Sequence, residues 1–197
     1  MYFLVRLIAR LVFWVLRIRY KGTEKFPSEG AVIITSNHIN FWDPVLVGAF
    51  LKRQVHFMAK AELFDNKLLG WFLRSLNAIP VKRGSPDRKA LRKAIEVLEN
   101  EGVLGIFPEG TRSQTGELAK AYHGAAMLAV KGKAQVIPVG CINTPQAFSF
   151  GGWRDSVIIK YGDAVTYNDE YGNKTNNAAL EEISQDIMNR ISVLLVD

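Results

Sequence analysis

The segment 36–44 reads SNHINFWDP and places His38 and Asp43 five positions apart between two apolar runs. A carboxylate that holds one ring nitrogen of a histidine leaves the other nitrogen free to act as a general base. On a regular helix the two side chains would lie about 140° apart. Pro44 disfavours a helical conformation at Asp43 and suits the start of a helix, so a compact loop is expected. Such a loop allows a catalytic pair, although Asp-Pro is also typical of an ordinary helix cap.

The other side chains that could bind metal or attack a substrate are few. The three histidines, His38, His56 and His123, are widely spaced, and no cysteine pair accompanies them, so no metal site is predicted. The single cysteine, Cys141, directly follows the apolar run 136–140. We expect a buried structural thiol there rather than a nucleophile. One cysteine also excludes an intramolecular disulfide, which indicates a reducing compartment.

Short apolar runs alternate with amphipathic segments along the chain. Strands are predicted over 31–36, 55–60, 78–83, 103–108, 134–140 and 156–162, and helices over 44–51, 67–76, 86–100, 121–131 and 176–196. Ser85 is the expected cap of the third of these helices. The alternation predicts a single α/β domain with a largely parallel or mixed sheet flanked by helices. Active sites in such sheets lie beyond the carboxyl ends of strands, where the His38 loop and the PEGTRS loop at 108–113 both begin.

The N-terminal segment 1–20 has the length of a helix of about 30 Å, close to the thickness of a bilayer core. Arginines interrupt it, and one at the bilayer centre costs about 2.5–3.5 kcal/mol on insertion scales, so spanning is disfavoured. Arg6, Arg10 and Arg17 fall within about 40° of one line on a helix, and the rest of its surface, including Trp14, is apolar. This pattern predicts a helix lying in the membrane interface, before an α/β domain over 21–197. A core helix whose arginines reach solvent is the alternative.

The formal net charge of +6 indicates an anionic partner, either a membrane surface, an acidic carrier protein, a phosphorylated substrate or a nucleic acid. Because no motif that reads a duplex is present, nucleic acid is not expected. Basic side chains concentrate in the stretch 82–93, at Lys82, Arg83, Arg88, Lys89, Arg92 and Lys93. They could form a solvated helix face, or they could dock anionic headgroups or an acidic acyl carrier protein.

Two motifs together resemble those of the glycerolipid acyltransferase family. SNHINFWDP is similar to the family's His-x4-Asp motif, and FPEGTRS at 107–113 matches its second motif in every residue. AIPVKRG at 78–84 and VIPVG at 136–140 look like the intermediate and last blocks, so four motifs occur in the family's order. Size and motifs are most similar to the bacterial 1-acylglycerol-3-phosphate acyltransferases.

The resemblance implies that a fatty acyl group passes from an acyl thioester to the sn-2 hydroxyl of 1-acylglycerol 3-phosphate, giving phosphatidic acid. His38 would be the general base and Asp43 its orienting carboxylate, with direct transfer and no acyl-enzyme. No cofactor is expected beyond the co-substrate, acyl-CoA or acyl carrier protein thioester. The enzyme would be monotopic on the cytoplasmic face of the cell membrane. Rival expectations are another acceptor, such as glycerol 3-phosphate, or, more remotely, a lipid hydrolase or a non-catalytic lipid-binding protein.

The resemblance also assigns the binding of the acceptor. Its phosphate would bind to the two motif arginines, Arg83 and Arg112, because planar guanidinium groups suit phosphate. Glu109, which would repel phosphate, would hold a glycerol hydroxyl or an arginine. The full expected set is Arg83, Glu109, Gly110, Thr111, Arg112 and, as an added charge at a strand end, Lys60.

Overall fold

The computed structural model describes residues 1–82, 87–148, 157–167 and 176–196. The strands in these ranges are β1 (Arg19–Lys21), β2 (Val32–Ser36), β3 (Val55–Lys60), β4 (Ile79–Val81), β5 (Val103–Ile106), β6 (Gln135–Ile142) and β7 (Ile158–Tyr161). The helices are α1 (Tyr2–Val15), α2 (Asp43–Ala49), α3 (Lys67–Ser75), α4 (Arg88–Glu99), α5 (Gly124–Lys131) and α6 (Asn177–Leu195). The strands form one sheet in the order β1-β7-β6-β2-β5-β3-β4.

The sheet is mixed, and β2 lies near its centre. β2 pairs in parallel with β5 on one side and with β6 on the other, so Val32 lies opposite Val103 and Gln135. β6 and β7 are antiparallel, whereas the other strand pairs are parallel. The predicted α/β class with a largely parallel or mixed sheet is therefore confirmed. The parallel pairing also brings the carboxyl ends of β2, β5 and β6 to one edge.

Successive residues of the central strands enter two different hydrophobic cores. Ile33 packs in a core with the buried residues of α4, α5 and α6, whereas Val32 and Ile34 pack with those of α1 and α2. Because neighbouring strand residues point to opposite faces, the two groups of helices cover opposite faces of the sheet. We call these the α4 face and the α1 face.

The N-terminal helix is shorter than predicted, because α1 ends at Val15 instead of continuing to residue 20. Arg17 adopts a left-handed conformation with φ of 56°, and its N–H donates to the Trp14 carbonyl. The Ile18 N–H donates to the Phe13 carbonyl at 3.0 Å, which completes a Schellman termination. Arg17 therefore does not belong to the helical arginine stripe. The chain continues as β1, a strand that the sequence analysis missed.

The two remaining stripe arginines point toward the protein. The Arg6 guanidinium donates to the Leu51 and Lys52 carbonyls at 2.9 and 3.0 Å, and Arg10 donates to the Ala49 carbonyl at 2.6 Å. These carbonyls lie at or just beyond the end of α2, where a helix leaves acceptors without partners and attracts cations. Arg6 and Arg10 thus connect α1 to the end of α2.

The surface that α1 leaves exposed is apolar instead. Trp14 is 74% exposed, and further exposed side chains along the helix are Phe3, Leu4, Leu7, Ile8, Leu11, Val12 and Val15. Ala9 and Phe13 form the buried side. None of the helices in the described ranges is long and apolar enough to cross a membrane.

The start of α4 also differs from the prediction. The Asp87 carboxylate accepts the backbone N–H groups of Lys89 and Ala90 at 3.0 and 3.1 Å, so Asp87 is the cap. The hydrogen bond from the Lys82 N–H lowers the pKa of Asp87 most, and those from Ala90 and Lys89 lower it further. Ser85, the expected cap, lies outside the described residues.

Candidate active site

A fully buried carboxylate organises the loop that follows β2. Asp43 Oδ2 lies 3.0 Å from His38 Nδ1 and accepts the N–H groups of Ile39 and Asn40 at 2.8 and 2.7 Å. Asp43 Oδ1 accepts the Thr144 hydroxyl at 2.6 Å. These four bonds compensate for the burial of the charge. The structure therefore brings the two residues of the predicted pair into direct contact.

The hydrogen bonds of Asp43 also decide between the two interpretations of the Asp-Pro sequence, a compact loop that holds a catalytic pair and an ordinary helix cap. Asp43 is the first residue of α2, and Trp42 occupies the cap position without a side-chain capping bond. The Asp43 carboxylate turns back to the loop amides of Ile39 and Asn40 instead of forward to the amides of α2. It is therefore not an ordinary helix cap, and the loop closes around it.

The imidazole of His38 has one engaged and one available nitrogen. Its ring stacks on Phe107 with centroids 4.1 Å apart and planes at 21°, and its side chain is 12% exposed. With Nδ1 directed at Asp43, Nε2 is left without a hydrogen-bond partner among the described residues. A neutral imidazole held in this way accepts a proton at Nε2.

The loop at 37–43 carries the predicted catalytic pair, and we call it the catalytic loop. Its beginning is fixed to β6. The Asn37 amide donates to the Cys141 carbonyl at 2.9 Å and accepts the Cys141 N–H at 2.7 Å. The Cys141 thiol lies 3.3 Å from the Ser36 hydroxyl and is buried, as predicted. Burial raises the pKa of Cys141 well above its ordinary value, so the thiol is not a nucleophile at neutral pH.

Thr144 is a site residue that the sequence analysis missed. It follows β6, is fully buried, donates its hydroxyl to Asp43 and accepts the Asn40 side-chain amide on its carbonyl at 2.9 Å. Asn143 before it has φ of 56°, which Asn tolerates better than most residues. The Asn-Thr-Pro turn at the end of an apolar strand was the available signal, because β6 ends at the same edge as β2.

Glu109 joins three segments of the site through its two carboxylate oxygens. Oε1 accepts the His38 N–H and Oε2 accepts the Ala119 N–H, both at 3.0 Å, and only 2% of the residue is exposed. The sequence analysis assigned this carboxylate to a glycerol hydroxyl or an arginine, whereas its contacts in the structure are with backbone amides. It holds the backbone of the catalytic loop against the loop after β5.

The loop after β5 carries an exposed basic residue. The Ser113 N–H donates to the His38 carbonyl at 2.7 Å, which places Thr111 and Arg112 beside the catalytic loop. Both are exposed, and Arg112 forms no ion pair with the described residues. Gly110 has φ of 68°, and an added Cβ would come within 2.9 Å of the Tyr122 ring.

The predicted acceptor site includes two further cations, Lys60 and Arg83. Lys60 ends β3, which is next to β5 in the sheet, and its ammonium lies 3.3 Å from Glu62. Arg83 lies outside the described residues. Among the predicted acceptor cations in the described residues, Arg112 is therefore the one whose chain neighbour, Ser113, bonds the backbone of His38.

The remaining histidines serve separate local roles. His56 lies on β3, and burial lowers its pKa. His123 Nε2 lies 2.7 Å from Glu181, whose pKa is lowered first by that hydrogen bond and then by the one to Lys120. In the described part of the chain, no group of three or more His, Cys, Asp or Glu side chains could hold a metal ion.

Aromatic side chains connect the apolar surface of α1 to the catalytic loop. Phe13 contacts Phe148 with centroids 6.4 Å apart, Phe148 contacts Trp42 at 5.2 Å, and Trp42 contacts Phe41 at 5.5 Å. Phe41, Trp42 and Phe148 are each about half exposed. An exposed apolar surface therefore extends from α1 to within a few residues of His38.

Comparisons with known proteins agree with this arrangement. The family model described as Acyltransferase matches residues 17–142, a span that contains both loops. The 1-acyl-sn-glycerol-3-phosphate acyltransferase of Bacillus subtilis (strain 168) is 35% identical over 122 residues, covering 61% of this chain and 60% of that protein. A protein of the same name from Streptococcus pneumoniae (strain ATCC BAA-255 / R6) is 29% identical over 191 residues, covering 94% and 70%. The chain thus spans about two thirds of the length of these relatives.

A solved structure shares the fold. The crystal structure of the 1-acyl-sn-glycerophosphate (LPA) acyltransferase PlsC from Thermotoga maritima matches with a TM-score of 0.71 and 26% identity. The match covers 98% of this chain and 79% of that chain. It therefore includes α1 as well as the sheet and its two loops.

Proposed function

This chain belongs to the acyltransferase family, and we propose that it acylates the sn-2 hydroxyl of 1-acylglycerol 3-phosphate to give phosphatidic acid. The acyl donor is a thioester of coenzyme A or of acyl carrier protein. One observation carries the proposal. His38 has Nδ1 on a buried carboxylate and Nε2 available, beside an exposed arginine of the neighbouring loop. The names of the similar proteins support the same acceptor.

His38 acts as the general base in this reaction. Nε2 accepts the proton of the acceptor hydroxyl while that oxygen attacks the thioester carbonyl. The tetrahedral intermediate then collapses, the carbon–sulfur bond breaks, and the imidazolium returns the proton to the leaving thiolate. Asp43 stabilises the imidazolium and fixes the ring. A base placed in this way contributes about 10²–10⁴-fold to the rate.

The transfer is direct, without an acyl-enzyme. The Cys141 thiol is buried and its pKa is raised by burial. The buried Ser36 hydroxyl is occupied by Cys141 and the Asn37 carbonyl. The Ser113 hydroxyl accepts the Gly116 N–H at 3.0 Å. None of these groups is held by His38, so none is activated as a nucleophile.

Arg112 binds the phosphate of the acceptor. Its exposure and its position next to the catalytic loop leave the guanidinium free to form paired hydrogen bonds with phosphate oxygens. The backbone of Gly110 and Thr111 lines the same loop and contributes to this site. Lys60 and Arg83 belong to the proposal as further cations.

The apolar surface of α1 lies in the membrane interface and makes the protein monotopic on the cytoplasmic face of the cell membrane. Exposed apolar side chains on α1, with Trp14 at its end, support this placement. α1 then forms the membrane segment, and Arg17 lies between α1 and β1. The boundary predicted at residue 20 falls within β1, which belongs to the sheet of the catalytic domain. The aromatic surface through Trp42 extends the lipid contact toward His38, so that an acceptor held in the bilayer reaches the base.

The membrane contact is tested by vesicle flotation with Leu7→Glu and Leu11→Glu on the exposed side of α1. We expect both substitutions together to release the protein from anionic vesicles, because they place charge on the inserted surface. The matched control is Leu68→Glu, on the exposed surface of α3. Unchanged flotation of the α1 variant would overturn the placement.

The reaction is tested by incubating the protein with a labelled acyl thioester and separate acceptors. We expect phosphatidic acid from 1-acylglycerol 3-phosphate at the highest kcat/KM, less product from glycerol 3-phosphate or other lysophospholipids, and no labelled protein. A different preferred acceptor would replace the substrate but keep the reaction type. Free fatty acid without an acceptor would instead indicate a hydrolase.

A further inference from the structure

Helix α4 presents a basic surface that the proposed reaction does not use. Its exposed cations, which we call the α4 basic face, are Arg88, Lys89, Arg92 and Lys93. None of them forms an ion pair with an acidic side chain in the described ranges. Glu96 and Glu99 follow near the end of the helix, so the positive charge concentrates in its first half. An unpaired cluster of this kind attracts an anionic partner.

The position of α4 in the fold narrows the class of partner. Its buried residues Ala90, Ala94 and Leu98 pack on the α4 face of the sheet, whereas Ala9 and Phe13 of α1 pack on the α1 face. A membrane that holds the exposed apolar side of α1 therefore lies on the other side of the sheet. The α4 basic face is directed toward water, which favours a soluble acidic partner over lipid headgroups.

The α4 basic face also begins at the edge of the sheet that carries the catalytic loop. α4 starts soon after the carboxyl end of β4, and β4 is separated from β2 by β5 and β3. Three strand spacings amount to about 14 Å. A thioester on a flexible arm bridges such a distance when the partner that carries it binds at the start of α4.

We propose that the α4 basic face docks an acidic carrier protein that presents the acyl chain as a thioester. This inference rests on the proposed acyl transfer and names the partner that supplies its donor. The lipid acceptor reaches His38 from the α1 side, and the carrier approaches from the α4 side. The two substrates thus enter the same edge of the sheet from opposite faces, and neither blocks the other.

The test compares three donors: an acylated acyl carrier protein, acyl-CoA and acyl-pantetheine, which lacks both protein and nucleotide. The variant is Arg88→Glu with Lys89→Glu, because acidic residues are favourable in the first turn of a helix and the protein should fold. The matched control is Lys131→Glu with Lys133→Glu, two exposed lysines at the end of α5 with the same change in charge. Carrier binding is also measured by fluorescence anisotropy, which does not depend on catalysis.

We expect kcat/KM with the acylated carrier to fall about ten-fold or more in the α4 variant, and anisotropy should show weaker carrier binding. High salt should weaken carrier binding more steeply in the wild type than in the α4 variant. Transfer from acyl-pantetheine should change less than about two-fold. The control variant should match the wild type with every donor.

Three results would overturn the docking surface. Unchanged carrier binding by the α4 variant would show that the cations are only a solvated face. An equal fall with acyl-CoA would assign them to nucleotide phosphates, and a loss of vesicle binding would assign them to the membrane. Absence of product with all donors in the wild type would contradict the proposed acyl transfer. Carrier binding by the wild type and the α4 variant, measured by anisotropy, would still test the docking surface.

Discussion

The loops that follow β2 and β5 lie at the same edge of the sheet but use their polar groups differently. In the first, the Asp43 carboxylate is fully buried and accepts four hydrogen bonds. In the second, only Glu109 is buried and bonded in this way, and the loop continues to the exposed Thr111 and Arg112. The carboxylate of the first loop is therefore held by hydrogen bonds, whereas the second loop carries an exposed guanidinium.

Under the proposed function, we expect this difference to separate the chemical step from acceptor binding. A base must keep its orientation during proton transfer, so the bonds around Asp43 should act on kcat. A phosphate of a lipid headgroup arrives from outside, so an exposed guanidinium should act mainly on KM. Glu109 connects the two functions, because it holds the His38 N–H with one oxygen and the Ala119 N–H with the other.

The largest effect short of removing the base is expected from Asp43→Asn. An amide in place of the carboxylate stabilises the imidazolium less and can favour the wrong tautomer of His38. We expect kcat to fall about 10³-fold with little change in the KM of the acceptor. Steady-state kinetics with both substrates varied measure this, and circular dichroism checks the fold. A rise in KM with unchanged kcat would remove the distinction between the loops.

A smaller effect, of the opposite kind, is expected from Arg112→Ala. Loss of a hydrogen-bonded charge at the phosphate should raise the acceptor KM by about 10–100-fold and change kcat by less than about three-fold. Arg112→Lys should recover part of the binding, because it keeps the charge without the planar geometry. Arg74→Ala is a control at an arginine of α3 that bonds the Phe64 carbonyl. A loss confined to kcat would place Arg112 in the chemical step.

The smallest effect is expected from Thr144→Val, which removes one of the four bonds to Asp43 and preserves the volume of the side chain. Three bonds remain, so kcat should fall only about 3–10-fold, with the acceptor KM unchanged. Thr144→Ser keeps the donor and should restore kcat. The serine variant keeps the hydroxyl, so if it were as impaired as the valine variant, Thr144 would act through packing and not through its hydroxyl. Thermal unfolding of both variants would show such a packing role.

The parts of this site that the sequence predicted are those with local causes. Pro44 follows Asp43 directly, and the strand before His38 is a continuous apolar run, so the loop and its position at the sheet edge follow from short-range patterns.

The parts that it missed depend on contacts between distant residues. Thr144 lies 101 positions from Asp43, and the carbonyls that bind Arg6 lie 45 and 46 positions away. β1 is three residues long and pairs with β7 near residue 158. A short polar strand has no periodicity of its own, and an arginine stripe has the same pattern whether it faces solvent or a helix end.

The assignment of His38 as the base is tested most directly by the rate of acyl transfer from a labelled acyl thioester to 1-acylglycerol 3-phosphate. This rate is compared among the wild type, His38→Ala and the control His123→Ala. His123 pairs with Glu181, and both side chains are partly exposed. We expect phosphatidic acid from the wild type and the control, and a loss of about 10²–10⁴-fold in a folded His38→Ala protein. Equal rates for all three proteins would contradict the assignment of His38 as the base.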